Sequence, residues 1–379
     1  MAFQGGIVVL VGLCLLYLTG PGGQADLQDQ QHGGLHRLLT ELLSHYESLI
    51  IPRTPVNVTY GIDLISVDGV DEKEGILRIS TITRIMWFDH RFQWNPSEYY
   101  GIKVVNLPAS QVWHPDLRPH AQILEEEEVN LLVYYDGTIY HYPPIRLAVP
   151  CEMHFAYYPF DTQACSLKVE SWSYDSAMIN FTMDYSGTAR LLDYRPNQQW
   201  KLLSFTADRN ELRYVCCEET FASLTFNIML QRQVREYTIR VLAPSVVTSL
   251  LILLCFLIPP HCGERILFVS ILLLCILLQL VHLNLTVPIR GPDAPYLADF
   301  LCFSVFLAFF AVVESVLSLN LSRGVRGSSS NNSRGDGEEF GMQTKTNTGM
   351  TRIARFIDVG CFMVFTFIFA VAGGVILNP

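Results

Sequence analysis

Cysteine is the residue type whose spacing in this sequence points most directly to chemistry. Between Asp26 and Tyr237 there are four cysteines: Cys151, Cys165, Cys216 and Cys217. Thiols form disulfides in an oxidising compartment, and four cysteines permit three pairings. Neighbouring Cα atoms lie about 3.8 Å apart, below the roughly 4.4 Å at which relaxed disulfides begin, so a bridge between the two adjacent cysteines would be a tight, stiffening ring. The spacing alone leaves open whether that ring forms.

An oxidising compartment is predicted by the first residues of the chain. An apolar run from Ile7 to Leu18 precedes small residues that end at Ala25, which is the pattern of a cleaved secretory signal over residues 1–25. The start lacks Lys and Arg, so an uncleaved anchor is the alternative. Export would also permit glycosylation at the sequons of Asn57 and Asn180.

Residues 26–237 contain the elements that must position these cysteines. From Asp26 to Ile51, apolar residues recur at three- and four-residue spacing, which predicts an amphipathic helix. Short alternating runs follow, separated by Asp-Gly, Asn-Pro and Pro-Pro turns, and they predict an extracellular antiparallel β-sandwich. The acidic run from Glu125 to Glu128 is interpreted as a solvated loop, with a calcium site between subunits as the alternative.

Four apolar stretches make up most of the rest of the chain, at about residues 239–258, 266–285, 297–319 and 353–377. Each approaches the roughly 20 residues that a helix needs to cross a bilayer, so lipid is an expected partner. Three transmembrane helices are predicted in 238–319 and a fourth in 353–379. The intervening residues 320–352 are rich in Ser, Gly and Asn and predict a disordered cytoplasmic loop. Both chain ends are then expected outside the cell.

Charge and motif content exclude two broad classes of function. The net charge is −10 and no basic cluster occurs, which argues against nucleic acid as a partner. The sequence has no phosphate-binding loop, nucleophile elbow or metalloprotease motif, so an enzyme is not expected. No cofactor and no resident metal are predicted.

One loop identifies a family by resemblance. Cys151 and Cys165 enclose thirteen residues, EMHFAYYPFDTQA, with an aromatic-Pro-Phe-Asp core. That spacing, that core and the four apolar stretches resemble the Cys-loop pentameric ligand-gated ion channels. WNP at 94–96, WHPD at 113–116, SWSYD at 171–175 and GER at 263–265 follow the order of the nicotinic acetylcholine (α-type), serotonin type-3 and zinc-activated branch. The resemblance implies a Cys151–Cys165 disulfide, a plasma-membrane location, with the postsynaptic membrane as one option, and a pentamer with four other identical or homologous subunits.

The resemblance also implies an agonist site between subunits. The stretch from Tyr214 to Phe221, YVCCEETF, looks like loop C of nicotinic α-type subunits, in which a disulfide between Cys216 and Cys217 stiffens a flap. The ring face of Trp172 is expected to hold a small cationic agonist, while Tyr214 and Phe221 form the walls of the flap.

Two departures from the α-type pattern affect that site. His120 stands where α-type subunits have a tyrosine, and Ile82 stands where the neighbouring subunit's face has an aromatic ring. Arg84 shares a strand face with Ile82 because residues two apart point to the same side. Fewer rings and an added Arg predict weaker binding of a quaternary amine, and His120 makes gating by zinc or protons an alternative.

The second apolar stretch carries the predicted pore stripe, which consists of Glu264, Leu267, Ile271, Leu274, Leu278, His282 and Leu285. In five copies, Glu264 would form a carboxylate ring that favours cations, and Leu274 an apolar gate. Arg265 is expected to snorkel away from the axis. Leu267 and Ile271 are apolar where conducting relatives have small polar residues, so a non-conducting ligand-binding subunit of a heteropentamer is the alternative function. A rotated stripe that exposes Ser270 is an alternative geometry.

Coupling between the two domains is also predicted by resemblance. Glu72 and Arg232 are expected to form a buried ion pair beneath the sandwich. Tyr158-Pro159-Phe160 and the joint near Pro288 would contact this pair. We expect agonist to close loop C, the sandwich to twist, and this junction to push on the membrane helices until the Leu274 ring widens.

Overall fold

A computed structural model describes residues 22–184, 187–215, 218–259, 262–288, 294–330, 355–371 and 374. Most of the predicted signal (residues 1–21), the predicted vicinal disulfide of Cys216 and Cys217, and most of the predicted cytoplasmic loop lie outside these residues.

The first described element is a helix, α1, at Gly22–Ser44. It begins and ends earlier than the predicted span from Asp26 to Ile51. Its apolar stripe explains its position: Leu38 is buried in the sandwich core, and Leu35, Leu39 and Leu42 pack against the same core. The amphipathic pattern therefore covers one end of the sandwich.

Within the described residues thirteen strands follow. They are β1 Val56–Asp71, β2 Ile76–Gln93, β3 Val104–Leu107, β4 Leu117–Pro119, β5 Gln122–Glu126, β6 Leu131–Tyr134, β7 Asp136–His141, β8 Pro144–Pro150, β9 Thr162–Ser171, β10 Ile179–Thr182, β11 Ala189–Arg195, β12 Trp200–Arg213 and β13 Thr220–Arg232. Strands such as β2 and β9 alternate buried and more exposed residues. The interpretation of Glu125 to Glu128 as a loop is wrong for its first part. Glu125 and Glu126 pair with β8, since an exposed edge strand tolerates charged side chains.

The strands form two sheets packed face to face, which confirms the predicted sandwich. One sheet has the order β10-β1-β2-β7-β6-β3, with β11 on β1, β8 on β2 and β5 on β8, and the other has the order β12-β13-β9-β4. Two pairings differ from the antiparallel expectation, because β10 and β11 run parallel to β1. Both strands reach β1 through long connections, which parallel pairing requires.

One loop and one pair of neighbouring strands bear on the predicted covalent chemistry. Cys151 and Cys165 form a disulfide that closes the loop between β8 and β9, with Cα atoms 4.9 Å apart. The sequon residues Asn57 and Asn180 face each other across β1 and β10, where Asn180 Nδ2 donates to Asn57 Oδ1 at 3.1 Å. Glycosylation there remains a prediction.

In the part of the chain that the structure describes, four helical segments follow the sandwich: α2 at Val234–Leu257, α3 at Glu264–Thr286, α4 at Tyr296–Ser330 and α5 at 355–371. The first two and the Tyr296–Asn320 part of α4 are long and apolar enough to cross a membrane. The prediction that disorder begins at residue 320 is wrong, since α4 continues to Ser330. No proline interrupts that stretch of sequence, so nothing in it forces the helix to stop.

Candidate functional site

The residues predicted to bind agonist on one side lie around the ends of β4, β9, β12 and β13. Trp172 follows the last residue of β9 and is 73% exposed. Tyr214 and Phe221 flank the turn between β12 and β13, and their ring centroids are 5.6 Å apart. His120 follows β4, where its backbone N–H donates to Lys168 O at 2.7 Å. We call Trp172, His120, Tyr214 and Phe221 the ring face.

A buried carboxylate connects three strands of the ring face. Glu170 Oε1 lies 2.5 Å from His120 Nε2, and Glu170 Oε2 lies 2.6 Å from Lys168 Nζ. Tyr214 OH donates to the same Oε2 at 3.2 Å. Burial of Glu170 raises the pKa of its carboxyl, but the hydrogen bonds from Lys168 and His120 and the charge of Lys168 outweigh this effect and lower the pKa overall. Glu170 is therefore an anion that fixes His120 and Tyr214 in position.

A second bond ties the WHPD loop to the segment that carries Trp172. Ser173 Oγ donates to Asp116 Oδ2 at 2.7 Å. Behind it, the rings of His114 and His141 lie 4.6 Å apart, and His114 packs on Trp87 at 4.9 Å. Burial and then the charge of His141 lower the pKa of His114 to about 4, so this pair is neutral near pH 7. Within the described residues, no group of three or more His, Cys, Asp or Glu side chains could hold a metal ion.

The predicted opposite face, on β2, contains a cavity of about 220 Å³ whose lining includes Arg84, Tyr140, Tyr142 and Asp184. Ile82 lines an adjoining cavity together with Arg84 and Tyr142. The tyrosines form a row, with the rings of Tyr140 and Tyr142 stacked 6.0 Å apart. Ile82 itself offers no aromatic ring, but Tyr142, on another segment, lines the same cavity and supplies one.

Arg84 does not present a free charge in this cavity. Its guanidinium bonds to Asp63 at 2.9 Å, to Asp184 at 2.5 Å and to Gly187 O at 2.6 Å. A Cβ added at Gly61 would lie 2.7 Å from Arg84 Nη2, so only glycine at position 61 lets the side chain lie flat across β1.

The predicted junction residues meet beneath the sandwich. Arg232, whose side chain has no exposed surface, donates from Nη1 to Glu72 Oε1 at 2.8 Å. It also donates from Nε and Nη2 to the two carboxylate oxygens of Asp161, at 2.7 and 3.0 Å. Burial lowers the pKa of Arg232, but the hydrogen bonds and charges of Asp161 and Glu72 raise it by more than burial lowers it. The guanidinium therefore stays charged. Its Cζ lies within 5 Å of three ring centroids: Trp200 at 4.3 Å, Tyr158 at 4.9 Å and Tyr237 at 4.9 Å.

The other predicted junction residues reach the membrane helices. Phe160 is 41% exposed and Pro159 follows a cis peptide bond. Tyr296, the first residue of α4, donates its N–H to Ala156 O at 3.0 Å, so this loop contacts α4 directly. Val287, next to Pro288, shares with Glu72 and His282 a junction cavity of about 430 Å³.

The helix α3 separates its predicted pore stripe from a buried side. Glu264, Leu267, Ile271, Leu274, Leu278, His282 and Leu285 are all exposed in the single chain. The buried side contains Val269, Leu272, Ile276 and Leu283. Ser270 is exposed as well, so both proposed stripe rotations fit the single chain.

The snorkelling prediction for Arg265 is wrong: its side chain is 1% exposed and bonds to Asp358 at 2.9 Å and to Glu314, because two internal carboxylates replace water.

Comparison with known proteins decides the family. Residues 35–234 match the neurotransmitter-gated ion-channel ligand-binding domain. The chain belongs to this family. Members of this neurotransmitter-gated family are ion channels rather than enzymes. The neuronal acetylcholine receptor subunit alpha-3 of Carassius auratus is 29% identical over 296 residues, which is 76% of this chain and 58% of the relative. The subunit alpha-6 of Homo sapiens is 29% identical over 293 residues, 75% of this chain and 59% of the relative. The chain thus spans less than two thirds of the length of these relatives.

Four residues that contact the predicted site residues, or line a cavity with them, were not predicted from the sequence: Glu170, Lys168, Asp161 and Tyr142. Alternation along β9 could have found Lys168 and Glu170, since they share a strand face that ends at Trp172. Asp161 is part of the aromatic-Pro-Phe-Asp core already quoted. Tyr142 had no local signal, because only the pairing of β2 with β7 and β8 brings it near Ile82.

Proposed function

We propose that this chain is a subunit of a cation-selective channel that opens when a small cationic agonist, acetylcholine-like or another amine, binds between subunits. The ring face carries the proposal, because Trp172 leaves 73% of its surface uncovered beside a network that holds His120 and Tyr214 in place. A large exposed aromatic ring next to fixed polar groups is typical of a binding surface. In the proposed pentamer, the face with Ile82, Arg84 and Tyr142 from the next subunit closes the site.

The pore follows from the same pentamer. Five copies of α3 would direct their exposed stripe at one another, which leaves the Glu264 carboxylates at the mouth and the Leu274 side chains at the narrowest apolar ring. We infer cation selectivity from Glu264, whose neighbour Arg265 is withdrawn into the bundle by Asp358 and Glu314.

Coupling is proposed to run along one strand. β13 begins at Thr220 beside the loop C turn and ends at Arg232, so movement of the flap is transmitted to the junction without an intervening loop. Two residues later α2 begins, and Glu236 and Arg240 on it line the junction cavity with Glu72. Displacement of this cavity would move α2 and the end of α3 together.

The second candidate is a ligand-binding subunit that does not conduct alone. Leu267 and Leu278 are 64% and 60% exposed on the stripe, and Ile271 lies between them, so a homomeric pore would be lined by hydrocarbon over more than three turns. Gating by zinc or protons remains an alternative that rests on His120 alone.

The test is current recording from cells that express this chain alone, with acetylcholine, choline, serotonin, zinc and acid steps applied in turn. A cation current that Trp172→Ala abolishes and that Phe88→Ala, a change at an exposed ring on β2, preserves would support the proposal. Silence at normal surface expression calls for Leu267→Ser with Ile271→Thr. Current restored by that pair supports the non-conducting alternative, and continued silence contradicts the pore assignment.

A further inference from the structure

Glu170 fixes the hydrogen-bonding role of one ring nitrogen of His120, Nε2. An ionised carboxylate accepts hydrogen bonds and donates none. Glu170 is held as an anion by Lys168 at 2.6 Å, so the proton in the 2.5 Å contact belongs to His120 Nε2. In the neutral ring the other nitrogen, Nδ1, is then an acceptor.

The acceptor Nδ1 is available to a ligand. Within the part of the chain that the structure describes, no hydrogen bond reaches His120 Nδ1, and the side chain is 42% exposed. The ring cannot easily turn away, because its Nε2 is bound to Glu170 and its backbone N–H to Lys168 O at 2.7 Å. Trp172 lies two residues beyond Glu170, the residue whose carboxylate holds His120, so the acceptor and the proposed cation-binding ring are carried by adjoining segments.

We infer that the ring face selects small ammonium ions that retain an N–H, and that His120 Nδ1 accepts the hydrogen bond from that N–H. This inference rests on the proposed function, and it specifies the chemical class of the agonist. A ring face attracts a quaternary and a protonated tertiary amine alike, because the cation–π interaction needs no donor. An oriented acceptor adds a charge-assisted hydrogen bond that only the protonated tertiary, secondary or primary amine can make. A tyrosine hydroxyl at this position could itself donate, whereas a neutral imidazole whose Nε2–H is bound to Glu170 offers only an acceptor on its free side.

The test uses one skeleton at four methylation states: ethanolamine, N-methylethanolamine, N,N-dimethylethanolamine and choline. Binding is measured as the ligand-dependent rise in melting temperature of the detergent-solubilised full-length protein, which does not require a conducting pore. The decisive comparison is between the tertiary amine and choline, which differ by one methyl group and by the loss of the last N–H. We expect choline to bind about tenfold more weakly or worse.

Three variants assign the effect. We call the difference in affinity between the tertiary amine and choline the gap. In His120→Phe this gap should vanish or reverse, because the acceptor is replaced by a phenyl ring. In Glu170→Gln it should shrink, because the amide no longer fixes the tautomer. His90→Phe, at an exposed histidine on β2, should leave the gap unchanged.

The outcomes separate this inference from the proposed function. Equal affinity for all four amines, with binding lost in Trp172→Ala, would overturn the inference and leave the agonist site standing. A wild-type gap that persists in His120→Phe would also overturn it. No stabilisation by any of the four amines would contradict both.

Discussion

Replacement of Arg232 by alanine tests whether the junction is held by buried charge. The change removes the partner of both carboxylate oxygens of Asp161, whose side chain is 2% exposed. Removal of one member of a buried ion pair costs about 3–5 kcal/mol, because the remaining charge is kept from water and has no opposite charge beside it. Among the described residues, Asp161 would keep only the neutral amide of Gln163, which donates to its Oδ2 at 2.6 Å. Glu72 keeps 21% of its side chain exposed, so Glu72→Gln should cost about 1 kcal/mol or less.

The difference is measurable as thermal stability of the full-length protein in detergent. A domain of about 200 residues shifts its melting temperature by about 2–4 °C per kcal/mol. Arg232→Ala should therefore lower the melting temperature by about 6–20 °C, and Glu72→Gln by about 4 °C or less. Size-exclusion chromatography of samples heated stepwise gives both values from small amounts of membrane protein.

Two control variants separate charge from geometry. Arg232→Lys retains the charge without the fork that matches Asp161, so its melting temperature should lie between those of the wild type and Arg232→Ala. Arg232→Met combined with Asp161→Asn removes both buried charges at similar volume and should recover much of the loss. Equal shifts for Arg232→Ala and Glu72→Gln, or no recovery in the double variant, would refute the reasoning.

Three further predictions concern the pore, the bundle and pH. Glu264→Gln should shift the reversal potential in a NaCl gradient towards lower cation selectivity; an unchanged potential would place Glu264 off the conduction path. Arg265→Gln should abolish surface biotinylation, since it leaves the Glu314 and Asp358 carboxylates without a cation, whereas Glu314→Gln should be tolerated. Because the pKa of His114 is lowered to about 4, the unfolded chain takes up its proton first, so stability should fall by about 1.4 kcal/mol per unit as pH drops from about 6.5 towards 4. His114→Gln should flatten this dependence in melting temperatures measured from about pH 7.5 to 5 if the imidazole is its source.

Local sequence patterns predicted which helices and strands form better than they predicted which strands pair with one another. Alternation predicted the sandwich, and apolar length predicted helices close to α2, α3 and the first part of α4. The parallel pairing of β10 and β11 with β1 carries no local signal, because it depends on where a long connection returns. The end of α4 was placed too early because serine and glycine lower helix propensity without forbidding a helix.

In the candidate site, too, individual residues could be predicted from the sequence, whereas most of the contacts between them could not. Trp172, Tyr214 and Phe221 could be proposed from quoted motifs, and the Glu72–Arg232 pair from resemblance. Their other contacts could not be proposed, even where the partner residue carried a local signal, because Glu170 meets His120 across 50 residues and Asp161 meets Arg232 across 71. Charged residues read one at a time also misled: Arg265 was expected to reach water, yet two carboxylates from other helices meet it inside the bundle.

The same point changes the electrostatics expected at the agonist site. Arg84 alone would repel a cation, and this was one of the two reasons to predict weak binding, the other being the smaller number of aromatic rings. However, Arg84 and Arg190 both bond to Asp63, and Arg84 also bonds to Asp184, so two guanidinium groups face two carboxylates. A compact cluster with equal numbers of opposite charges has a short-range field, which salt screens further over about 8–10 Å. In the proposed site, a cationic agonist would therefore meet a face that is nearly neutral and rich in tyrosine. Discrimination among amines then depends on the ring face and on the hydrogen-bonding state of His120 rather than on net charge.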